Sequence, residues 1–275
     1  MKQAILLFCI MFFCTSVAFS GQGRLDLKSQ AVMVLNTENN HIIYDKNSDE
    51  ILPIASITKL MTAMVILDAN LPFHEKITID AADVDKLKNT TSRLVVGTSY
   101  PRYELLRLAL MSSENRAAAA LGRTYPGGIQ AFVNAMNKKA LALKMVSSHF
   151  VEPTGLSSHN VSTARDLAKL VMASNDYATI RDFSTTSQHK ISPENKKHQL
   201  QFVNSNSLVR SQNWEIDVSK TGYLHEAGRC LVMQANITGK SIAIILLNSS
   251  GKNTRIADAN RVKKWMESSQ YRKQV

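Results

Sequence analysis

Two short apolar runs, Ala31-Val32-Met33-Val34-Leu35 and His41-Ile42-Ile43-Tyr44, flank the polar stretch Asn36 to Asn40. Apolar, β-branched runs on either side of an asparagine-rich break have the pattern of a hairpin. Three more strand patterns crowd the other end of the chain: Glu215 to Tyr223, Cys230 to Ile237, and Ser241 to Leu247, the last two joined across Thr238-Gly239-Lys240. Residues Ile242 to Leu247 are apolar on both faces, as in a strand whose sheet is covered on both sides. Between the two groups the apolar residues recur three and four apart, over Ile57 to Ala69, Arg102 to Met111, Asn115 to Arg123, Gly128 to Leu143 and Thr163 to Ala173. That spacing predicts helices, and Arg255 to Glu267 adds a last one. Strands at both ends with helices between them predict an α/β (α+β) fold. One antiparallel sheet is assembled from the N- and C-terminal strands, with a helical subdomain inserted over roughly 70–170.

Composition sets the scale of this fold. The chain has 275 residues, 44% of them hydrophobic, and a formal net charge of +11. A chain of that length forms one or two globular domains that bury roughly 70–75% of the unfolded surface. Residues 1–20 change the picture, because Met1-Lys2-Gln3, the apolar run Ala4 to Cys14, and small residues at Ala18 and Ser20 have the form of a secretory signal peptide. The run is too short to cross a hydrocarbon core of ~30 Å as a helix. Cleavage after Ser20 leaves 21–275 as the mature domain and removes Cys9 and Cys14, so Cys230 has no internal partner and stability must come from the core. The expected product is soluble and outside the cytoplasmic membrane. Its positive charge suits peripheral contact with an anionic wall or membrane, whereas the absence of basic clusters and aromatic stacking motifs argues against nucleic acid.

Three short segments carry candidate chemistry. In Ser56-Ile57-Thr58-Lys59, the serine stands where a helix apolar nearly all round is expected to begin, and the lysine lies one turn on, pointing the same way. Burial of that lysine would drive off its proton and leave an amine able to deprotonate the Ser56 hydroxyl. Ser113-Glu114-Asn115 follows a helical run and places a hydroxyl and an amide two residues apart in a loop, suited to relaying a proton and holding a substrate amide. Lys220-Thr221-Gly222 ends a strand pattern, where a lysine and a hydroxyl can bind a carboxylate and glycine lets a substrate backbone approach. Taken singly these patterns are unspecific. Ser187/Lys190 and Ser249/Lys252 repeat the first, and Ser158-His159-Asn160 and Ser211-Gln212-Asn213 repeat the second. The seven histidines form no His-Glu-x-x-His helix, so neither a metal nor another cofactor is expected.

The order of the three segments is specific, with first members 57 and 107 residues apart. Serine-x-x-lysine, serine-x-asparagine and lysine-threonine-glycine form the motif set of penicillin-binding proteins and class A β-lactamases. Further matches lie in Pro53 to Thr62, Leu110 to Ala118, Gly155-Leu156 ahead of Ser162 to Leu167, and Tyr223. With these, nearly the whole mature chain resembles the low-molecular-mass penicillin-binding proteins, the serine D-Ala-D-Ala peptidases. The resemblance implies a β-lactamase/transpeptidase-like fold, a periplasmic location, and hydrolysis of D-alanyl-diaminopimelate cross-links of peptidoglycan by a DD-endopeptidase. A DD-carboxypeptidase releasing terminal D-Ala is the alternative, since the two activities differ only in what the leaving residue carries. By the same resemblance Ser56 is the acylated nucleophile, Lys59 its general base and Ser113 the proton relay, while Asn115, Lys220, Thr221, Gly222 and Tyr223 bind substrate. The backbone N–H groups of Ser56 and Tyr223 would form the oxyanion hole, and β-lactam antibiotics would be covalent inhibitors. Two rivals are weaker. A class A-like β-lactamase would need Glu152 to activate water, but the asparagine that follows in that loop is missing from Thr154-Gly155-Leu156. A non-catalytic wall-peptide or β-lactam-binding scaffold would keep its function without Ser56.

Overall fold

The apolar segments from the two ends of the chain pair with one another. The computed structural model describes residues 25–193, 199–211 and 213–268. The signal-peptide reading of 1–20 therefore lies outside the described residues. In chain order the strands are β1 (Ala31–Asn36), β2 (Ile42–Lys46), β3 (Leu52–Pro53), β4 (Lys76–Thr78), β5 (Ser99–Pro101), β6 (Val161–Ser162), β7 (Gln188–Ile191), β8 (Leu200–Val203), β9 (Glu215–Leu224), β10 (Gly228–Ile237) and β11 (Lys240–Ser249). The helices are α1 (Thr58–Asp68), α2 (Arg102–Met111), α3 (Asn115–Arg123), α4 (Gly128–Ala142), α5 (Ala164–Asn175), α6 (Ala178–Thr185), α7 (Ser207–Arg210) and α8 (Thr254–Glu267). A 3-10 turn, Ala55–Ile57, leads into α1.

The main sheet has the order β2-β1-β11-β10-β9, antiparallel throughout, with Ala31 opposite Leu247 and Asn36 opposite Ile242. Strand β11 is its centre, which explains its unbroken apolar sequence. Ala243, Ile245 and Leu247 enter one core together with Leu60, Met64, Leu167 and Val171 of the helical layer. Ile242, Ile244 and Leu246 enter a second core, closed by Ala259, Val262 and Met266 of α8. This is the antiparallel sheet with inserted helices that the hydropathy pattern predicts. Three short strand pairs, β3 with β6, β4 with β5 and β7 with β8, and the helices α6 and α7 go beyond that prediction. Each is too short for its period to register.

Two elements matter most for the site. Helix α1 is buried at every position from Thr58 to Ile66, Lys59 included, so it is held in the interior on all sides. Strand β9 is the edge of the sheet, and Gly222 brings it against the turn before α1, where a Cβ would stand 3.0 Å from Ile54 O and 3.2 Å from Ser56 N. No helix among the described residues is long and apolar enough to cross a membrane.

Candidate active site

Three backbone positions with left-handed φ shape the cleft: Ala55 (+48°), Ser113 (+62°) and Gly155 (+79°). The conformation is costly for alanine and serine and persists only where surrounding packing enforces it. Gly155 supplies some of that packing. A Cβ there would lie 2.0 Å from Ala55 O and 2.8 Å from Ser56 N, so only glycine lets the loop press on the turn that carries Ser56. Ser113 forms the corner between α2 and α3, and the adjacent Glu114 side chain caps α3 through Arg116 N. Ser56 itself does not sit at a helix start as expected. It lies inside the 3-10 turn, one residue before the α1 N-cap Ile57, and no side chain caps the helix. The Ser56 hydroxyl is engaged by Lys59 instead.

The Lys59 amine lies 2.8 Å from Ser56 Oγ, 2.7 Å from Asn115 Oδ1 and 2.5 Å from Thr154 O. Asn115 Oδ1 and Thr154 O can only accept hydrogen bonds. A neutral amine has two N–H groups for these two oxygens and a lone pair left for the Ser56 hydroxyl proton. Burial lowers the Lys59 pKa from 10.5 to about 8, while the charges of Glu152 and Glu114 hold it up. A shift of that size corresponds to about 3 kcal/mol, comparable to burying one or two Leu or Ile side chains, which the fully buried Leu60 and Ile57 provide.

On the other flank, the Lys220 amine donates to Ser113 Oγ and to Thr221 O, each at 2.9 Å. Its pKa is also well below the ordinary lysine value, first through burial and then through the positive charges of Lys59 and Arg255. Thr221 Oγ1 lies 2.7 Å from the hydroxyl of the exposed Ser205, whose N–H is held by Met111 O at 2.8 Å. Arg255 of α8 donates to Gly222 O at 2.6 Å and to Cys230 O at 2.9 Å, bracing β9 against β10 from behind. Tyr223 is 54% exposed at the cleft edge, and the Arg229 guanidinium stacks on its ring at 4.4 Å. The structure thus brings two hydrogen-bonded groups together, Lys59 with Ser56 and Asn115 and Lys220 with Ser113, close enough that the two lysine charges repel, with Thr221, Gly222 and Tyr223 along the adjoining strand. A cavity of about 480 Å³ opens beside them and shares Asn115 and Thr154.

Residues outside the three motifs complete the cluster. The Glu152 carboxylate accepts from Thr154 N, Thr154 Oγ1, Gly155 N, Ser157 N and Asn160 Nδ2. That network folds the loop so that Thr154 O reaches Lys59. Among the motif repeats, Asn160 is fully buried as a brace of the same loop, and Ser249 is buried against Ser29 Oγ at 2.7 Å. Neither reaches the cleft cluster, and Cys230 is fully buried in β10 with its thiol pKa raised to about 11 by desolvation. Only Glu152 among these completing residues stood out in the sequence, as the residue a class A-like β-lactamase would need to activate water. Thr154, Ser205 and Arg255 carried no local signal, because each acts through a contact made by folding.

The family profile described as peptidase S11, D-alanyl-D-alanine carboxypeptidase, matches residues 18–251. The chain belongs to the S11 family. S11 members are serine-type peptidases, and two similar curated proteins are both called D-alanyl-D-alanine endopeptidase. The Escherichia coli protein is 46% identical over 92% of this chain and 81% of its own length. The Pseudomonas aeruginosa protein is 45% identical over 98% of this chain and 90% of its own. The crystal structure of the Streptomyces K15 DD-transpeptidase superposes with a TM-score of 0.81 at 28% identity, covering 87% of this chain and 97% of that one. The S11 fold therefore extends over nearly all of the described residues.

Proposed function

We propose that this protein is a periplasmic DD-endopeptidase. It hydrolyses the amide between D-alanine and the D-centre of diaminopimelate in peptidoglycan cross-links, through an acyl-enzyme on Ser56. The observation that carries the reading is the buried Lys59 amine, whose nitrogen lies 2.8 Å from Ser56 Oγ and also contacts two groups that can only accept, Asn115 Oδ1 and Thr154 O. The scissile peptide lies along the free edge of β9 as an added strand. The carboxylate beside the scissile amide is held by Thr221 and Lys220, and Asn115 holds the acyl side. Lys59 takes the Ser56 proton as Oγ attacks the D-alanyl carbonyl carbon. The oxyanion is held by the N–H groups of Ser56 and Tyr223, where one donor is typically worth ~3–4 kcal/mol. As the tetrahedral intermediate collapses, the proton returns through Ser113, hydrogen-bonded to Lys220, to the leaving amine. Water then attacks the ester and releases the D-alanyl product.

The endopeptidase reading, rather than the carboxypeptidase one, is supported by the two endopeptidase relatives. A β-lactam would acylate the same serine. Because five donors already occupy the Glu152 carboxylate, it is poorly placed to activate water, and the adduct is expected to last. The test is incubation of the mature protein with purified cross-linked muropeptide dimers, followed by mass spectrometry. Monomers are expected from the wild type and none from Ser56→Ala. Loss of only a terminal D-Ala from pentapeptides would establish the carboxypeptidase instead.

A further inference from the structure

The orientation of the Asn115 amide is decided by residues outside the three motifs. Asn115 turns Oδ1 to Lys59 at 2.7 Å and its amide nitrogen to Thr90 Oγ1 at 3.0 Å. The Thr90 hydroxyl is in turn 2.7 Å from Asp85 Oδ2. An ionised carboxylate can only accept, so the Thr90 proton points to Asp85 and the Thr90 oxygen must accept from the Asn115 NH2. Asp85 is held as the anion, because Leu87 N, Lys88 N, Thr90 N and Thr90 Oγ1 all donate to it, at 2.7–3.0 Å. These hydrogen bonds outweigh partial burial and lower its pKa. The loop is tied at both ends. Lys88 pairs with Glu226 across the cleft at 2.5 Å, Leu94 is fully buried, and the Arg93 guanidinium lies 3.9 Å from the centre of the Phe202 ring.

The polarity of this chain of groups reaches the catalytic pair. With Oδ1 toward Lys59, one amine N–H is used and the lone pair stays on the Ser56 side. With the amide reversed, its NH2 would compete for that lone pair and leave an N–H directed at Ser56, the wrong polarity for removing a proton. We propose that Asp85 and Thr90 are positioning residues that lock the Asn115 amide in the orientation that aims the Lys59 lone pair at Ser56. The inference rests on the reading of Ser56 and Lys59 as nucleophile and base.

Thr90→Val keeps the shape of the side chain and the Thr90 N to Asp85 bond but removes the hydroxyl, whereas Thr90→Ser keeps the hydroxyl. The second-order rate of acylation by a fluorescent penicillin is measured from pH 6 to 10, with the adduct located on Ser56 by mass spectrometry and folding checked by thermal denaturation. Thr90→Val should lower the plateau rate about fivefold or more, while Thr90→Ser stays within about twofold of wild type. The midpoint of the pH profile should move down in Thr90→Val, because an NH2 facing the amine favours its unprotonated form. Mere loosening of the loop would admit water and move it up, since Glu152, Glu114 and Lys220, the charged groups facing Lys59, are unchanged. Asp85→Asn, whose own NH2 can donate to Thr90 and reverse the chain, should lose at least as much rate as Thr90→Val. A Thr90→Val enzyme as fast as wild type, a Thr90→Ser enzyme as slow as Thr90→Val, or an upward midpoint would overturn the proposal. Failure of the underlying reading looks different, because the wild type itself would then form no adduct on Ser56.

Discussion

The depressed pKa of Lys59 makes a quantitative prediction about acylation. If the free amine is the base, the rate constant for acylation of Ser56 follows the neutral fraction of Lys59. Its folded pKa is lowered to about 8, so protonated enzyme dominates below that pH and the base is fully available above it. Roughly a tenth of the molecules carry the neutral amine at pH 7 and roughly nine-tenths at pH 9. The rate should therefore rise about tenfold between these values and level off. A lysine at its ordinary value of ~10.4 would give a rise of nearly a hundredfold over the same range, with no plateau by pH 9. Penicillins suit the assay because their carboxylate is ionised throughout, which leaves the enzyme as the source of the titration. Stopped-flow fluorescence with a labelled penicillin, with intact mass confirming one adduct per chain, reads the rate directly. A profile flat from pH 6.5 to 9, or one still climbing tenfold per pH unit beyond pH 9, would refute the assignment of Lys59 as the buried base.

Other consequences follow from the packing around the cleft. Gly155→Ala combines a left-handed φ with a Cβ 2.0 Å from Ala55 O, so it should destabilise the fold by ~2–3 kcal/mol and slow acylation more than tenfold; thermal denaturation and penicillin labelling measure the two effects separately. Asn160→Ala strips the buried brace that bonds Thr58 Oγ1, Glu152 and Val151 N, with an expected loss of ~2–4 kcal/mol in denaturant unfolding. Cys230 is fully buried with a thiol pKa raised to about 11, so the chain lacking residues 1–20 should show no thiol reactive to a disulfide reagent when native and one when unfolded.

Hydropathy alone located the five strands of the main sheet and six of its helices to within a few residues, because burial on a sheet face or a helix stripe leaves a period in the chain. The two-sided apolar run of β11 even announced its central place. The three motifs were legible because their residue types and order are unusual in combination. Local sequence did not reveal how the segments meet. Nothing near Thr154 marks its carbonyl as a partner of Lys59, nothing near Asp85 and Thr90 links them to Asn115, which is 25 residues beyond Thr90, and nothing in α8 marks Arg255 as the brace of Gly222. Left-handed φ values at Ala55 and Ser113 are likewise invisible, since neither residue favours that conformation and only the surrounding packing imposes it. Elements and candidate chemistry were thus written in short-range pattern, whereas the protonation state of Lys59 and the direction of its lone pair were decided by desolvation and by hydrogen bonds between distant segments, which exist only once the chain has folded.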